Sequence, residues 1–233
     1  VAMELGRVLA TAGAQVISGL ALGIDVAAHQ GAVLAGGTTF AVLAGGVDLC
    51  YPKQNFNTYV DIMRNGGVIS EFPDNTLTRP GMFPLRNRII SGLCDAVIIV
   101  EAGMKSGSLI TAAQALEQNR QVYAVPGRIG DGNSEGCNHL IWQGAQIVCS
   151  YDDLLAELDL DISDSTKTNE KNILLASDEK MLYSQLLDFS PKSLETLIKE
   201  TGMSQMQVFQ ALLTLELKGL IKEISKNFYI RIL

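Results

Sequence analysis

Two arginines flank an asparagine in the segment FPLRNRIISGL, where Arg86 and Arg88 follow Pro84 and precede an apolar run. A guanidinium group forms planar, forked hydrogen bonds with phosphate and carboxylate oxygens. Proline suits the first turn of a helix, and helical residues two positions apart point in different directions. The two arginines therefore cannot form one clamp. We expect one to face a ligand crevice and the other to be structural or ion-paired, with the alternative that both are structural.

Three glycine-rich segments could also bind phosphate. Glycine lets a ligand approach the backbone closely, and N–H groups at the start of a helix favour phosphate. The segments are SGLALGID (18–25), AGGVDLCYPK (44–53) and EAGMKSGSLITAA (101–113). The third adds a lysine and two hydroxyls, in MKSGS, at a predicted helix start. Together the segments predict a phosphate-binding crevice, although tight-turn chemistry alone would also explain any one of them.

No convincing nucleophile and base occur together in the sequence. His29 and His139 lie far apart, and His29 is interpreted as a packing residue of a helix. Asp25 follows a glycine and an isoleucine at a predicted helix start, where capping is the simplest role. Trp142 is predicted to lie in the core. We therefore predict no enzymatic activity, no metal site and no cofactor.

The composition predicts a folded protein with a packed core, since 47% of the residues are hydrophobic and 18% are charged. The chain has 18 Lys and Arg against 25 Asp and Glu, a net charge of −7, so a nucleic acid would need a local basic site. No apolar run reaches the roughly 20 residues of a membrane span, and no signal peptide is evident. The cysteines have no metal-binding spacing and are interpreted as reduced thiols of a cytoplasmic protein: Cys50, Cys94, Cys137 and Cys149.

Short apolar runs alternate with helical patterns over the first 150 residues. Such alternation predicts an α/β fold, a Rossmann-like doubly wound sheet that is mainly parallel. The predicted strands are 14–18, 38–44, 67–71, 95–102, 121–127 and 145–150. The predicted helices between them are 25–35, 54–64, 84–93, 108–118 and 135–143. Ligands in such folds bind beyond the carboxyl ends of the strands, where the glycine-rich segments lie.

The front of the chain departs from this pattern because VAMELGRVLATAG reads as a helix. A doubly wound sheet usually starts with a central strand. We therefore expect the chain to begin inside its domain, and the sheet to lack its first strand and show a gap there.

A change of composition divides the chain into a Rossmann-like domain at 1–157, a polar and acidic linker at 158–179 and a small domain at 180–233. Three helical patterns, the last two joined by ETGMS, are followed by two short strands and predict a winged helix. Its third helix, residues 204–217, contains no Lys or Arg. Because duplex readers use such residues on phosphate and guanine, the domain is interpreted as a protein-contact or dimer-support module.

Several motifs in order resemble the DNA-processing protein A (DprA, or Smf) family over residues 14–150, and the C-terminal segment LIKETGMSQMQVFQALLTLELKGLIKEISKNFYIR is similar to the winged helix of many members. The motifs are ISGLALGIDVAAHQGAV, AVLAGGVDLCYPKQN, GGVISEFP, FPLRNRIISGLCDAVIIVEAGMKSGSLITAAQALEQNRQVYAVPG and SEGCNHLIWQGA. The family's upstream strand, ending in Gly-x-Arg, and its helical N-terminal domain do not occur in this sequence.

The resemblance implies a cytoplasmic protein that binds and protects single-stranded DNA, loads the RecA recombinase in natural transformation and forms a homodimer through its Rossmann domain. It implies a DNA pocket at the switch point of the sheet. The residues carried over to that pocket are Ser18, Gly19, Gly45, Lys53, Arg86, Arg88, Lys105, Ser106, Gly107 and Ser108.

Two alternatives belong to other functional classes. The first is a nucleotide phosphoribohydrolase, whose P-G-G-x-G-T-x-x-E loop carries a catalytic glutamate. Alignment of Gly107 and Ser108 with the Gly-Thr of that loop places Thr111 at the glutamate position, which argues against the enzyme. The second is a winged-helix transcription regulator, against which the absence of Lys and Arg from the third helix argues.

Overall fold

The structure, a computed structural model, describes residues 1–160, 176–186, 191–218, 220–225 and 227–231. The chain divides into two compact units, residues 1–164 and 165–233. The linker expected at 158–179 lies mostly outside the described residues, so its limits stay a prediction.

The first unit alternates strands and helices as the sequence predicts. Its strands are β1 (Val16–Ser18), β2 (Thr39–Val42), β3 (Gly66–Ile69), β4 (Ala96–Ile99), β5 (Gln121–Ala124) and β6 (Gln146–Ile147). Its helices are α1 (Ala2–Thr11), α2 (Ile24–Leu34), α3 (Phe56–Asn65), α4 (Met82–Leu93), α5 (Gly107–Glu117), α6 (Glu135–Trp142) and α7 (Tyr151–Glu157). The α/β class is therefore confirmed, with each strand shorter than its apolar run.

The strands form two parallel sheets with a gap between them. One sheet has the order β1-β2-β3 and the other the order β4-β5-β6. Within the described part of the chain, β1 and β4 each have a strand neighbour on one side only. The expected absence of a first strand, which would lie between β1 and β4, stays a prediction.

Helix α1 packs against elements of both sheets. Its Leu5 joins a buried cluster with Tyr123 of β5 and Leu154 of α7, and its Ala10 packs with Val16 of β1. Close packing against α2 depends on a glycine of α1: a Cβ on Gly6 would lie 2.1 Å from the carbonyl oxygen of Ala28. The helix that opens the sequence therefore connects the two halves of the unit.

The second unit contains a helix–turn–helix and a small antiparallel sheet. Its helices are α8 (Ser177–Gln185), α9 (Leu194–Thr201) and α10 (Gln205–Leu217), and its strands are β7 (Lys192–Ser193), β8 (Ile221–Ser225) and β9 (Phe228–Arg231). The strand order is β7-β9-β8. Gly202, at φ 67°, ends α9 in the left-handed conformation that glycine favours. This is the winged-helix arrangement that the sequence predicts, with one additional strand. Among the described residues, no helix is both long enough and apolar enough to cross a membrane.

Candidate nucleic-acid interface

A cavity of about 470 Å³ lies between the unpaired edges of β1 and β4. Helices α1 and α4 and the start of α5 also contribute to its lining. Gln15 lines it before the start of β1, and its other polar lining residues lie at the carboxyl ends of the two strands or on the adjoining helices: Ser18, Asp25, Arg86, Asn87, Glu101, Ser106, Ser108 and Thr111. This is the edge at which ligands of open α/β sheets bind. Of the ten residues carried over from the family resemblance, five line the cavity: Ser18, Arg86, Ser106, Gly107 and Ser108.

The N-terminus of α5 offers hydrogen-bond donors at this cavity. Ser106 is the N-cap residue, and its side-chain oxygen accepts the amide N–H of Ser108. The two serine hydroxyl oxygens lie 2.7 Å apart. A Cβ added to Gly107 would have nothing within 4 Å, so the backbone is open to an approaching group there. First-turn N–H groups and the positive end of the helix dipole make such a terminus suitable for an anion.

Two lysines stand exposed in loops that follow parallel strands. Lys105 lies between β4 and α5, and Lys53 lies in a 3-10 turn after β2. Neither side chain has an ion pair or hydrogen bond with another residue of the described part of the chain. Both positive charges are therefore available to a ligand. Lys53 follows a strand of the β1-β2-β3 sheet, and Lys105 follows a strand of the β4-β5-β6 sheet.

Arg86 is buried, although its side chain reaches the cavity lining. Arg86 is 5% exposed. Its Nη1 donates to the carbonyl oxygen of Gly19 at 2.7 Å and to that of Val42. Its Nε donates to Oδ1 of Asn87 at 3.1 Å, and the guanidinium lies 5.9 Å from the centre of the Phe83 ring. Burial lowers the pKa of Arg86, and the nearby Asp25 carboxylate opposes that shift. The guanidinium thus joins the carboxyl ends of β1 and β2.

Arg88 points elsewhere and pairs with a carboxylate. Its Nη2 donates to Oε2 of Glu71, two residues beyond the end of β3. The side chain is 51% exposed. The separate directions of the two arginines agree with the helical spacing, and the ion pair of Arg88 is one of the arrangements that the spacing left open. The binding of phosphate by Arg86 or Arg88 stays a prediction.

Two of the candidate glycines are required by close packing. A Cβ on Gly19 would lie 2.5 Å from the Arg86 guanidinium, and a Cβ on Gly45 would lie 2.7 Å from the carbonyl oxygen of Thr76. Asp25 organises the loop after β1, because its Oδ2 accepts the amides of Gly19 and Ala21 at 3.1 and 3.0 Å. These contacts explain the two glycines without a ligand, whereas Gly107 faces open space.

His29 is buried as a packing residue. One ring nitrogen, Nδ1, lies 2.7 Å from the Thr39 hydroxyl, and Nε2 has no hydrogen-bond partner. Burial lowers the pKa of His29 from 6.5 to about 4, against the opposing effect of Asp25 and with the help of Arg86. The ring is therefore neutral at physiological pH, and nothing in its surroundings prepares it for catalysis.

Two aromatic residues near the cavity, Tyr51 and Phe83, were not among the site residues that the sequence predicted. Tyr51 is 53% exposed, and its ring centre lies 6.2 Å from that of Phe83, which lines the cavity. The position of Tyr51 beside Lys53 was a signal that could have indicated it.

The prediction that Trp142 is in the core is wrong, because Trp142 is 80% exposed and stacks on His139 with ring centres 5.6 Å apart. The described residues contain no cluster of side chains that could hold a metal ion.

Two family models match the chain. The model of DNA recombination-mediator protein A matches residues 1–159, and the model of the DprA winged helix domain matches residues 167–225. The matches agree with the α/β unit and with the winged-helix unit. They cover the cavity, both exposed lysines and the helix–turn–helix.

Curated relatives from several bacteria are similar to this chain. DNA processing protein DprA of Streptococcus pneumoniae is 49% identical over 144 residues, which is 62% of this chain and 51% of that protein. Protein Smf of Escherichia coli is 36% identical over 228 residues, which is 94% of this chain and 60% of that protein. The chain therefore spans about half to three fifths of the length of these relatives.

Two solved structures have a similar fold over about two thirds of this chain. The structure of DprA from Streptococcus pneumoniae has a TM-score of 0.61 and 44% identity, and covers 67% of this chain and 56% of that one. The structure of DNA processing protein A from Helicobacter pylori, solved for its unique single-stranded DNA binding mode, has a TM-score of 0.64 and 32% identity. That match covers 69% of this chain and 74% of the other.

Proposed function

The chain belongs to the DNA recombination-mediator protein A family, that of the DprA and Smf proteins, and from this premise we propose that it binds single-stranded DNA at the mouth of the β1–β4 cavity. The observation that carries the proposal is the Lys105–Ser108 segment, where an exposed lysine precedes an open helix N-terminus beside the cavity. The single-stranded DNA binding of the Helicobacter pylori relative supports the same ligand.

The proposed contacts follow the chemistry of each residue. Lys105 and Lys53 bind backbone phosphates as point charges, and the amide N–H of Gly107, at the start of α5, donates to a phosphate oxygen. The hydroxyls of Ser18, Ser106 and Ser108 supply further donors. Because the overall charge is −7, DNA binding depends on this local basic site. The affinity for DNA should weaken steeply with salt, because phosphate contacts release counterions.

Arg86 has a supporting role in this proposal. Its Nη1 bonds to Gly19 and Val42 hold the loops after β1 and β2 in register, so the loops present their donors to DNA. Gly19 and Gly45 contribute through the close packing of these loops. Arg88 reaches DNA only by exchanging its Glu71 partner for phosphate.

The proposed cellular role is recombination mediation in the cytoplasm. A recombination mediator delivers single-stranded DNA to the recombinase that pairs it. We propose that the recombinase partner is RecA and that the process is natural transformation. We also propose that this chain acts as a homodimer. Stimulation of RecA-dependent ATP hydrolysis on single-stranded DNA coated with a single-strand binding protein would test the step. An unchanged rate after addition of this chain would contradict the RecA part of the proposal and leave DNA binding standing.

We propose binding and no catalytic step. Asp25, one of the two carboxylates that line the cavity, accepts hydrogen bonds from two loop amides. The position expected for a hydrolase glutamate holds Thr111. Incubation with nucleoside monophosphates, followed by chromatography for free base, tests this directly. Steady base release above the blank would favour the phosphoribohydrolase alternative.

Titration of labelled single-stranded and duplex DNA of equal length, at several salt concentrations, tests the proposed function. We expect tighter binding of the single strand, little sequence preference and a steep salt dependence, because phosphate contacts release counterions. Equal affinity for the two forms would contradict the proposal.

A further inference from the structure

The loop between β5 and α6 presents an arginine at the carboxyl edge of its sheet. Arg128 is exposed, and its side chain has no ion pair or hydrogen bond with another residue of the described part of the chain. Its neighbour Ile129 is 101% exposed. We propose that these two residues extend the single-stranded DNA site: Arg128 binds a backbone phosphate, and Ile129 packs on the adjoining base. The inference rests on the proposed function and adds a contact to it.

Three exposed cations lie in a row that crosses the strands. Lys53 follows β2, Lys105 follows β4 and Arg128 follows β5, so all three lie beyond the carboxyl ends of parallel strands. Strands β4 and β5 are paired neighbours, with Ile99 opposite Ala124. Neighbouring strands lie about 4.8 Å apart, so the loop after β5 is one strand further along the edge than the loop after β4. A DNA strand that crosses this edge from Lys53 to Lys105 therefore meets Arg128 next.

Backbone contacts hold the β5–α6 loop against the loop that joins β4 to α5. The amide of Ala102 donates to the carbonyl oxygen of Asn133 at 2.8 Å, and the amide of Gly136 donates to the carbonyl oxygen of Ala102 at 2.7 Å. A Cβ on Gly103 would lie 3.1 Å from the carbonyl oxygen of Gly132. The two loops therefore form one surface, and a flexible DNA strand can contact both.

The base of the β5–α6 loop is fixed by a side chain of α6. Asn138 accepts a hydrogen bond from the amide of Gly127 and donates one to the carbonyl oxygen of the same residue, both at 3.1 Å. A Cβ on Gly127 would lie 1.9 Å from Oγ of Ser134, so this packing requires glycine. Arg128 follows directly after this fixed position. Less conformational entropy is lost on binding when the backbone that carries a contact is already ordered.

The acidic residue of the segment 126–132 is engaged at the start of α6. Asp131 accepts the amide of Asn133 at Oδ1 and the hydroxyl of Ser134 at Oδ2, both at 3.2 Å. Both partners precede α6 directly, where a negative charge is favourable. The guanidinium of Arg128 is therefore left without a carboxylate partner in its own loop, and its planar fork can bind phosphate oxygens.

An apolar side chain beside a phosphate-binding arginine suits a single strand better than a duplex. The bases of single-stranded DNA are unpaired, and their faces are open to contact with protein side chains. Isoleucine is one of the residues that DNA-binding proteins place against or between bases. In a duplex the base faces are stacked on each other, so Ile129 should contribute to the affinity for single strands alone.

The test measures the salt dependence of single-stranded DNA binding by the full chain. The parent, Arg128→Ala, Lys105→Ala and the double variant are titrated into a labelled oligonucleotide of about 20 nucleotides, which exceeds the roughly 4–16 nucleotides of one binding module. Each single variant should make the slope of log affinity against log salt shallower by about 0.7, and the double variant by about 1.4, because the two cations bind separate phosphates.

Two further variants control for charge and separate the apolar contact. Arg64→Ala removes an exposed cation at the amino-terminal edge of the sheet and should keep the parental slope. Ile129→Ala should weaken single-strand binding about threefold or more at the parental slope, because apolar area is lost and no charge is. Its duplex affinity should equal that of the parent. Thermal melting should be unchanged in Arg128→Ala and Ile129→Ala, since both side chains are exposed.

The outcomes separate this inference from the proposed function. A parental slope for Arg128→Ala, or a double variant with the slope of Lys105→Ala alone, would overturn the phosphate contact and leave DNA binding at Lys105 standing. Parental single-strand affinity of Ile129→Ala would overturn the base contact. A parent chain that binds single strands no more tightly than duplex would overturn the proposed function, and this inference with it.

Discussion

Arg86 of α4 donates its Nη1 hydrogen to the carbonyl oxygen of Gly19, 67 positions earlier in the chain, at 2.7 Å. The same nitrogen also reaches Val42, so one buried guanidinium joins the carboxyl ends of two neighbouring strands. The mouth of the cavity depends on this arrangement, because the loops after β1 and β2 begin at these carbonyls.

Replacement of Arg86 with alanine should lower the free energy of unfolding more than replacement of Arg88 with alanine. Arg86→Ala leaves two buried carbonyls without a donor, and we expect a loss of roughly 2–5 kcal/mol in the free energy of unfolding. Arg88→Ala removes an exposed ion pair worth about 0–1 kcal/mol. Chemical denaturation of both variants measures the difference. Equal stabilities would contradict the structural role of Arg86.

Two glycines of the candidate site should respond differently to alanine. Gly19→Ala places a methyl group against the anchored Arg86 guanidinium, so it should cost about 1–3 kcal/mol of stability. Gly107→Ala has open space at the start of α5 and should be neutral or stabilising by up to about 1 kcal/mol.

The same two variants separate packing from ligand contact. Gly107→Ala should bind single-stranded DNA more weakly than the parent at full stability, because the methyl group hinders the approach of phosphate to the backbone. Thermal melting and DNA titration of the same preparations provide the comparison. A stable Gly107→Ala variant with parental DNA affinity would remove Gly107 from the interface.

His29 should make the protein less stable in acid. Burial lowers the pKa of His29 to about 4, against 6.5 in the unfolded chain, so the unfolded state binds a proton first as pH falls. The stability contribution is complete above pH 6.5 and is lost between there and pH 4, to the extent of about 3 kcal/mol. Denaturation of the parent and His29→Gln at several pH values tests this. The variant should lose less stability over this range, and identical slopes would contradict it.

The sequence predicted the elements of the first unit better than the roles of its side chains. Apolar runs located all six strands, because strands buried on both faces are continuously apolar. The role of Arg86 could not be predicted, since its acceptors lie just after β1 and at the end of β2, 67 and 44 positions away in the chain. Trp142 was misplaced because an aromatic residue next to core residues such as Leu140 is usually buried, and its direction on α6 depends on tertiary packing.

The second unit shows the same limit. The segment ETGMS correctly located the turn of the helix–turn–helix, because the chemistry of Gly202 and of the N-cap Ser204 is local. The absence of Lys and Arg from residues 204–217 leaves Glu216 as the one charged residue of α10. Which of its apolar residues face solvent depends on the packing of α10 against α8, α9 and the sheet, which sequence spacing alone did not decide.

The salt dependence of single-stranded DNA binding by Lys105→Ala tests the central claim most directly. The slope of log affinity against log salt should become shallower by about 0.7 for one lost phosphate contact, with thermal stability unchanged. Arg64→Ala is the control, because Arg64 is 74% exposed and lies at the opposite, amino-terminal edge of the sheet, just before β3. It should keep the parental slope. A Lys105→Ala variant that melts normally and binds with the parental affinity and slope would contradict the placement of DNA at this site.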